Sequence, residues 1–127
     1  MGFPTTFPPD CPLQTAIDCD GDVYMLFKEA VATPEQCQSQ AERGRAAAAS
    51  GDGICTRHGL SVFPDLRSCQ HQRDLIPHLG KHVGVARLTN KHGKVAQTPS
   101  GRNPKHMTLW TYEEVARHTL FSIVEGA

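Results

Sequence analysis

Histidine is unevenly spread in this sequence: seven occur in 127 residues, and six of them fall between positions 58 and 106. They are His58, His71, His78, His82, His92 and His106. Imidazole titrates near neutrality and both donates and accepts protons, so a spatial cluster would suit acid–base or phosphate-handling work. His58 and His106 are the preferred members, because each abuts an apolar run of strand character. His78 and His82 have the helical ligand step of four, but Gly80 between them argues against a helix there.

Two further groups could bind a cation. Cys55-x-x-His58 and Cys69-x-His71 place four soft or borderline ligands within seventeen residues, the number a structural zinc ion takes. If Cys69 and His71 share a helix, residues two apart point in different directions, so a buried Cys69 with surface histidines is the simpler reading. Asp18-Cys-Asp-Gly-Asp22, with Glu29 further on, is acidic enough for a hard cation. Its glycine stands fourth rather than sixth and prolines precede it, so a solvated turn before a strand is the simpler reading here too. The segment from Thr98 to Lys105 has two hydroxyls, a glycine, Arg102 and Lys105. Such a loop could hold an anion through backbone amides and positive side chains, or be an exposed connection.

The elements that would position these groups follow from periodicity and turn chemistry. Met1 to Pro12 carries Pro4, Pro8, Pro9 and Pro12, which remove backbone donors and fix φ, so the sequence predicts an irregular arm over 1–12. Val23 to Phe27 reads as a buried strand. Thr33-Pro34-Glu35-Gln36 reads as a capped helix start, with the helix running to about Ala49 and broken by Ser50-Gly-Asp-Gly. Gly59 to Phe63 is a short strand ended by Pro64. A helix then carries Asp65 in its first turn and Leu66, Cys69, Ile76 and Leu79 at helical spacing, with Pro77 ending it. His82 to Leu88 alternates as a half-buried strand, and Lys94 to Gln97 is expected to pair with it as a hairpin across Asn90-Lys-His-Gly93. His106 to Trp110 alternates again, with Met107 and Leu109 on one face. Thr111-x-x-Glu114 reads as a capping box opening a terminal helix; a short helix to His118 followed by a strand is the alternative. The expected fold is α+β: one domain over 13–127, with a small mixed or antiparallel sheet and about three helices.

Composition limits the function classes. Lys plus Arg equals Asp plus Glu at 13 each, which removes the warrant for a broad phosphate-backbone surface. Between Arg57 and Lys105, however, basic residues outnumber the two acids, Asp65 and Asp74, so a local basic face is expected. No run reaches the roughly 18 apolar residues of a membrane span, and no secretory pattern opens the chain. Cytosolic residence without a membrane partner is the resulting expectation. Five cysteines at irregular spacing are expected to be mostly reduced, partly buried thiols.

Tyr24-Met-Leu-Phe-Lys28, Arg57-His-Gly-Leu-Ser-Val-Phe63 and His106-Met-Thr-Leu-Trp110 together resemble the motif order of small bacterial proteins with a GLSV[FY] strand and a later HxT[LI] strand. The order is also similar to that of compact ADP-ribosyltransferase-like toxins, across residues 23 to 124. The resemblance implies Lys28 or Arg57 near substrate phosphates, Ser61 against a nicotinamide ribose and His106 lining the cleft. It also asks for a late acid that steadies an oxocarbenium-like transition state, for which Glu113, Glu114 and Glu125 are available and Glu114 is preferred. The first strand lacks the arginine such enzymes carry. One expectation is therefore a non-catalytic module of this fold, binding a protein or nucleic-acid partner through Lys28, Arg57, Arg102 and Lys105. The alternative is a transferase using NAD, with His58, Ser61, His106 and Glu114 in the cleft. A small zinc-binding domain is the third.

Overall fold

The computed structural model describes residues 2–45 and 51–127. The acidic run ends β1 (Ile17–Asp18) and leads through a turn into β2 (Gly21–Phe27). After a one-turn 3-10 helix at Glu35–Cys37 come α1 (Asp52–Thr56), β3 (Leu60–Val62) and α2 (Leu66–Leu75). Then follow β4 (His82–Leu88), β5 (Gly93–Gln97), β6 (Met107–Thr111) and β7 (Phe121–Ile123).

The strands form two antiparallel sheets, one ordered β1-β5-β6-β3 and the other β2-β4-β7. The sheets meet where Tyr24 and Phe63 exchange two backbone hydrogen bonds of 2.8 Å. Between them lies a core built from Val23, Met25 and Phe27 of β2, Leu60 and Val62 of β3, and Leu109 of β6. Among the described residues the architecture is thus α+β with antiparallel pairing, as a single compact unit with two α-helices rather than about three.

Four local expectations change. The helix expected from Thr33 to Ala49 is only a 3-10 turn at Glu35–Cys37; residues 46–50 of it lie outside the described residues. Gln36 does bond to Thr33 Oγ1, but its carboxamide also binds Glu29 N and Val31 O, tying the segment back toward β2. Cys37 and Ser39, two apart, are both buried, a demand an extended chain meets and a helix does not. The expected β4–β5 hairpin is absent, because both edges of β4 are taken by β2 and β7, while β5 lies between β1 and β6. Gly93, at φ +153°, makes that departure: a Cβ there would collide with the backbone of Trp110 and Thr111. At the C-terminus neither the terminal helix nor the short helix to His118 forms: a 3-10 turn at Arg117–Leu120 leads into β7, so only the strand of the alternative is present. Thr111 is the last residue of β6, and its hydroxyl accepts from Arg117 Nε (2.8 Å) instead of capping a helix. Finally, Asp65 precedes α2 as its N-cap, accepting from Ser68 N at 2.7 Å, rather than sitting in its first turn.

Residues 2–16 form no helix or strand, yet they are packed. Phe3, Phe7, Leu13 and Ala16 cover Trp110, Ala96 and Cys55, and Gly2 O accepts from Glu113 N at 2.9 Å. A disulfide joins Cys11 to Cys55 across 44 positions. Cys19, Cys37 and Cys69 are free and buried, and burial pushes their thiols up to about 11, 11 and 12, which leaves them inert as nucleophiles. No helix among the described residues is long and apolar enough to cross a membrane.

Candidate functional site

Side chains alternate across a strand, and in the four-stranded sheet this sorts core from chemistry. Leu60, Val62 and Leu109 face the core. Ser61 stands opposite Thr108, and His106 lies two residues before Thr108, so all three share the other face. Ala96 is also opposite Thr108, which puts Thr98 on that face beside His106. Gly59 permits the close approach of β3 to β6, since a Cβ there would lie 2.9 Å from Leu109 O.

The four polar side chains form one network. His106 Nε2 lies 2.9 Å from Ser61 Oγ. His106 Nδ1 lies 2.8 Å from the Thr98 carbonyl oxygen and 3.1 Å from Thr98 Oγ1, which is itself 2.7 Å from Thr108 Oγ1. A carbonyl oxygen only accepts, so the proton of the neutral ring sits on Nδ1 and Nε2 presents its lone pair to the serine hydroxyl. Burial holds the His106 imidazole below the ordinary histidine range, against the opposing pull of the Thr98 carbonyl hydrogen bond. Neutral His106 is therefore the form that can take the Ser61 proton. Phe63 packs edge-on against its ring, with centroids 5.7 Å apart.

Ser61 forms part of the wall of a cleft of about 410 Å³. Three cations, Lys28, Arg43 and Arg45, line it, together with the carboxylates Glu29 and Glu35. Leu60, Phe63 and Leu79 give it an apolar side. The segment that brings Arg43 to the cleft is held from behind by Arg117. That guanidinium donates to Cys37 O and Thr111 Oγ1, each at 2.8 Å, and forms an ion pair with Glu42. Glu42 in turn accepts from Ser39 N, and Ser39 Oγ accepts from Glu42 N, a reciprocal cap on the turn. Arg43 Nη2 adds a bond to Glu35 O at 2.7 Å.

Of the residues singled out from sequence, Ser61, His106 and Lys28 meet at or beside this cleft. The others fall elsewhere. His58 packs edge-on against Phe7 under the arm, with centroids 5.4 Å apart. Arg57 donates to Arg45 O at 2.8 Å, buttressing the cleft loop from outside. Lys105 lies 3.8 Å from Asp65, and Arg102 is exposed, its carbonyl 3.0 Å from His71 Nε2. Glu114 is exposed in the turn after β6 and does not line the cleft, where Glu29 and Glu35 supply the carboxylates. The polar groups of the Thr98–Lys105 loop bind partly within the loop and partly to α2 and β6. Buried Asn103 donates to Ser68 O and Gln72 Oε1 and accepts from Lys105 N. The four residues read as zinc ligands do not converge: Cys55 is in the disulfide, Cys69 is in the core and His71 is on the surface. Among the described residues no group of three or more His, Cys, Asp or Glu could hold a metal ion. Asp22 of the acidic turn pairs with Arg87 at the surface, 3.3 Å away.

Sequence reasoning missed Arg43, Arg45 and Glu35. All three lay inside a segment read as a helix, where charges pass for a solvated face. It also missed the Thr98 carbonyl, which no side-chain pattern encodes. No protein-family model matches the chain, and no curated protein and no solved structure matches it either.

Proposed function

We propose that the cleft takes up a phosphate-bearing nucleotide, with NAD the first candidate, and that the chain is an ADP-ribosyltransferase-like enzyme. The observation that carries this reading is the company Ser61 keeps: one cleft wall bears Ser61 bonded to His106, and the same cleft holds three cations and two carboxylates. Lys28, Arg43 and Arg45 would neutralise the two phosphates. Ser61 would hydrogen-bond a ribose hydroxyl, exposed Leu79 would offer the nicotinamide ring an apolar contact, and Glu29 or Glu35 would face the oxocarbenium-like carbon. The volume is within the roughly 300–1,000 Å³ of small-ligand sites.

A non-catalytic module with a basic partner-binding face draws less support, because Arg57, Arg102 and Lys105 do not border the cleft. Calorimetric titration with NAD and with ADP-ribose, and chromatographic detection of released nicotinamide, test the proposal. Saturable binding, weakened at least about 100-fold in a Lys28→Ala/Arg43→Ala variant, is expected, since each of the two lost charge-assisted contacts is worth about 1.5–3 kcal/mol. No heat and no thermal shift at millimolar dinucleotide would remove the reading.

A further inference from the structure

We propose that Ser61 is a nucleophile and His106 its general base, and that the pair transfers phosphoryl groups from a phosphate ester or anhydride. This goes beyond the dinucleotide reading, in which Ser61 only donates and accepts hydrogen bonds, and shares with it the anion-binding cleft and the Ser61–His106 contact. A serine that merely caps a strand needs no imidazole. Here the imidazole has its remote nitrogen held by a main-chain carbonyl at 2.8 Å and its near nitrogen 2.9 Å from the hydroxyl. That is the arrangement of nucleophile, base and orienting acceptor that activates an alcohol. The orienting group is backbone, so side-chain rotation cannot dislodge it.

Ser61 is exposed while its base is half-buried, so the hydroxyl is reachable and the imidazole is held in place. The cations in the cleft select the electrophile. Lys28, Arg43 and Arg45 suit the equatorial oxygens of a phosphoryl group under attack. In the step, Ser61 Oγ forms a bond to phosphorus while the bond from phosphorus to the leaving oxygen breaks. The hydroxyl proton passes to His106 Nε2 and then to that leaving oxygen. A water then attacks phosphorus as Nε2 takes its proton, the bond from phosphorus to Ser61 Oγ breaks, and Nε2 returns that proton to Oγ, which releases phosphate and restores Ser61. No electrons are exchanged and no second reactant beyond water is consumed.

The test is covalent capture with a fluorophosphonate, whose fluoride leaves as Ser61 Oγ bonds to phosphorus. Intact-mass and peptide mapping should show one adduct, on Ser61. It should be lost in Ser61→Ala and in urea-unfolded protein, and slowed about 100-fold or more in His106→Gln. Because His106→Gln could disturb packing, the wild-type rate is also followed against pH. It should fall as pH drops through the titration of His106, below 6.5, and stay level above it. No adduct, an adduct elsewhere, a pH-independent rate, or His106→Gln labelled as fast as wild type would each overturn the inference. Dinucleotide titration of the same sample keeps the two ideas apart. Binding without labelling removes only the nucleophile, and labelling without binding removes only the dinucleotide.

Discussion

Replacing Cys11 and Cys55 together by serine opens a loop of 44 residues that contains β1, β2 and the cationic segment of the cleft. Cross-linking a loop of that length removes about 4 kcal/mol of conformational freedom from the unfolded chain in the chain-entropy treatment. With an unfolding entropy of about 2.1 cal/mol/K per residue over 127 residues, the loss lowers the melting midpoint by about 15 °C. The native state contributes in the same direction. Phe3, Phe7 and Leu13 lie over Trp110 and Ala96, and an untethered arm exposes part of that apolar surface. Circular-dichroism melts of wild type, of wild type in reductant and of Cys11→Ser/Cys55→Ser measure the effect. The last two should fall together, well below the first. Thiol titration in denaturant should count three groups before reduction and five after. A midpoint moved by less than about 3 °C would refute the loop-closure reasoning, and five thiols before reduction would refute the cross-link.

Arg117 is the second lever. Arg117→Met removes its ion pair with Glu42 and leaves Cys37 O without its partner, a cost of about 1–2 kcal/mol after allowing for the exposure of Glu42. The same variant should bind NAD more weakly, because the segment carrying Arg43 loses its support; an unchanged melt and unchanged affinity would show that Arg117 supports nothing. The third prediction concerns pH. The folded-state value for His106 is depressed, so the unfolded chain binds the proton more readily. Its contribution to stability is fully present above the ordinary value of 6.5 and is lost as pH falls through the folded value. Urea midpoints of wild type should thus fall on acidification below 6.5 more than those of His106→Gln, and parallel curves would count against a buried neutral imidazole.

Alternation made the strands legible. His106-Met-Thr-Leu-Trp110 and Gly59 to Phe63 read as strands because two-residue periodicity encodes which face is buried, and both are strands. Ser61 and His106 could be named for the same reason, each abutting such a run. Their register could not be read, because pairing Ser61 with Thr108 is decided by contacts between segments 47 positions apart. Capping boxes misled twice. Thr33 with Gln36, and Thr111 with Glu114, have the side chains of a helix start, but the first binds back to the loop after β2 and the second binds Arg117. A capping motif supplies about 1 kcal/mol, and burial of Cys37, Ser39 and Phe121 outside any α-helix outweighs it. Lys28 reached the cleft and Glu114 did not, because the first leaves a strand that borders the cleft whereas the second follows the far end of β6.

Trp110 links these observations. In an alternating strand it shares a face with His106 and Thr108, the polar side, so an indole there needs a cover of its own. The proline-rich arm and α1 provide it: Phe3, Phe7 and Leu13 pack against the cluster of Trp110, Ala96 and Cys55, and the indole Nε1 donates to Cys55 O at 2.9 Å. That single sheet face is therefore divided. Its Trp110 end is closed by an arm stapled through Cys11–Cys55, and its Ser61–His106 end borders the cleft. Prolines keep the arm from forming ladders of its own, which leaves its aromatic side chains free to act as the cover. The expectation of mostly reduced thiols meets one disulfide, Cys11–Cys55, and three free, buried cysteines, Cys19, Cys37 and Cys69.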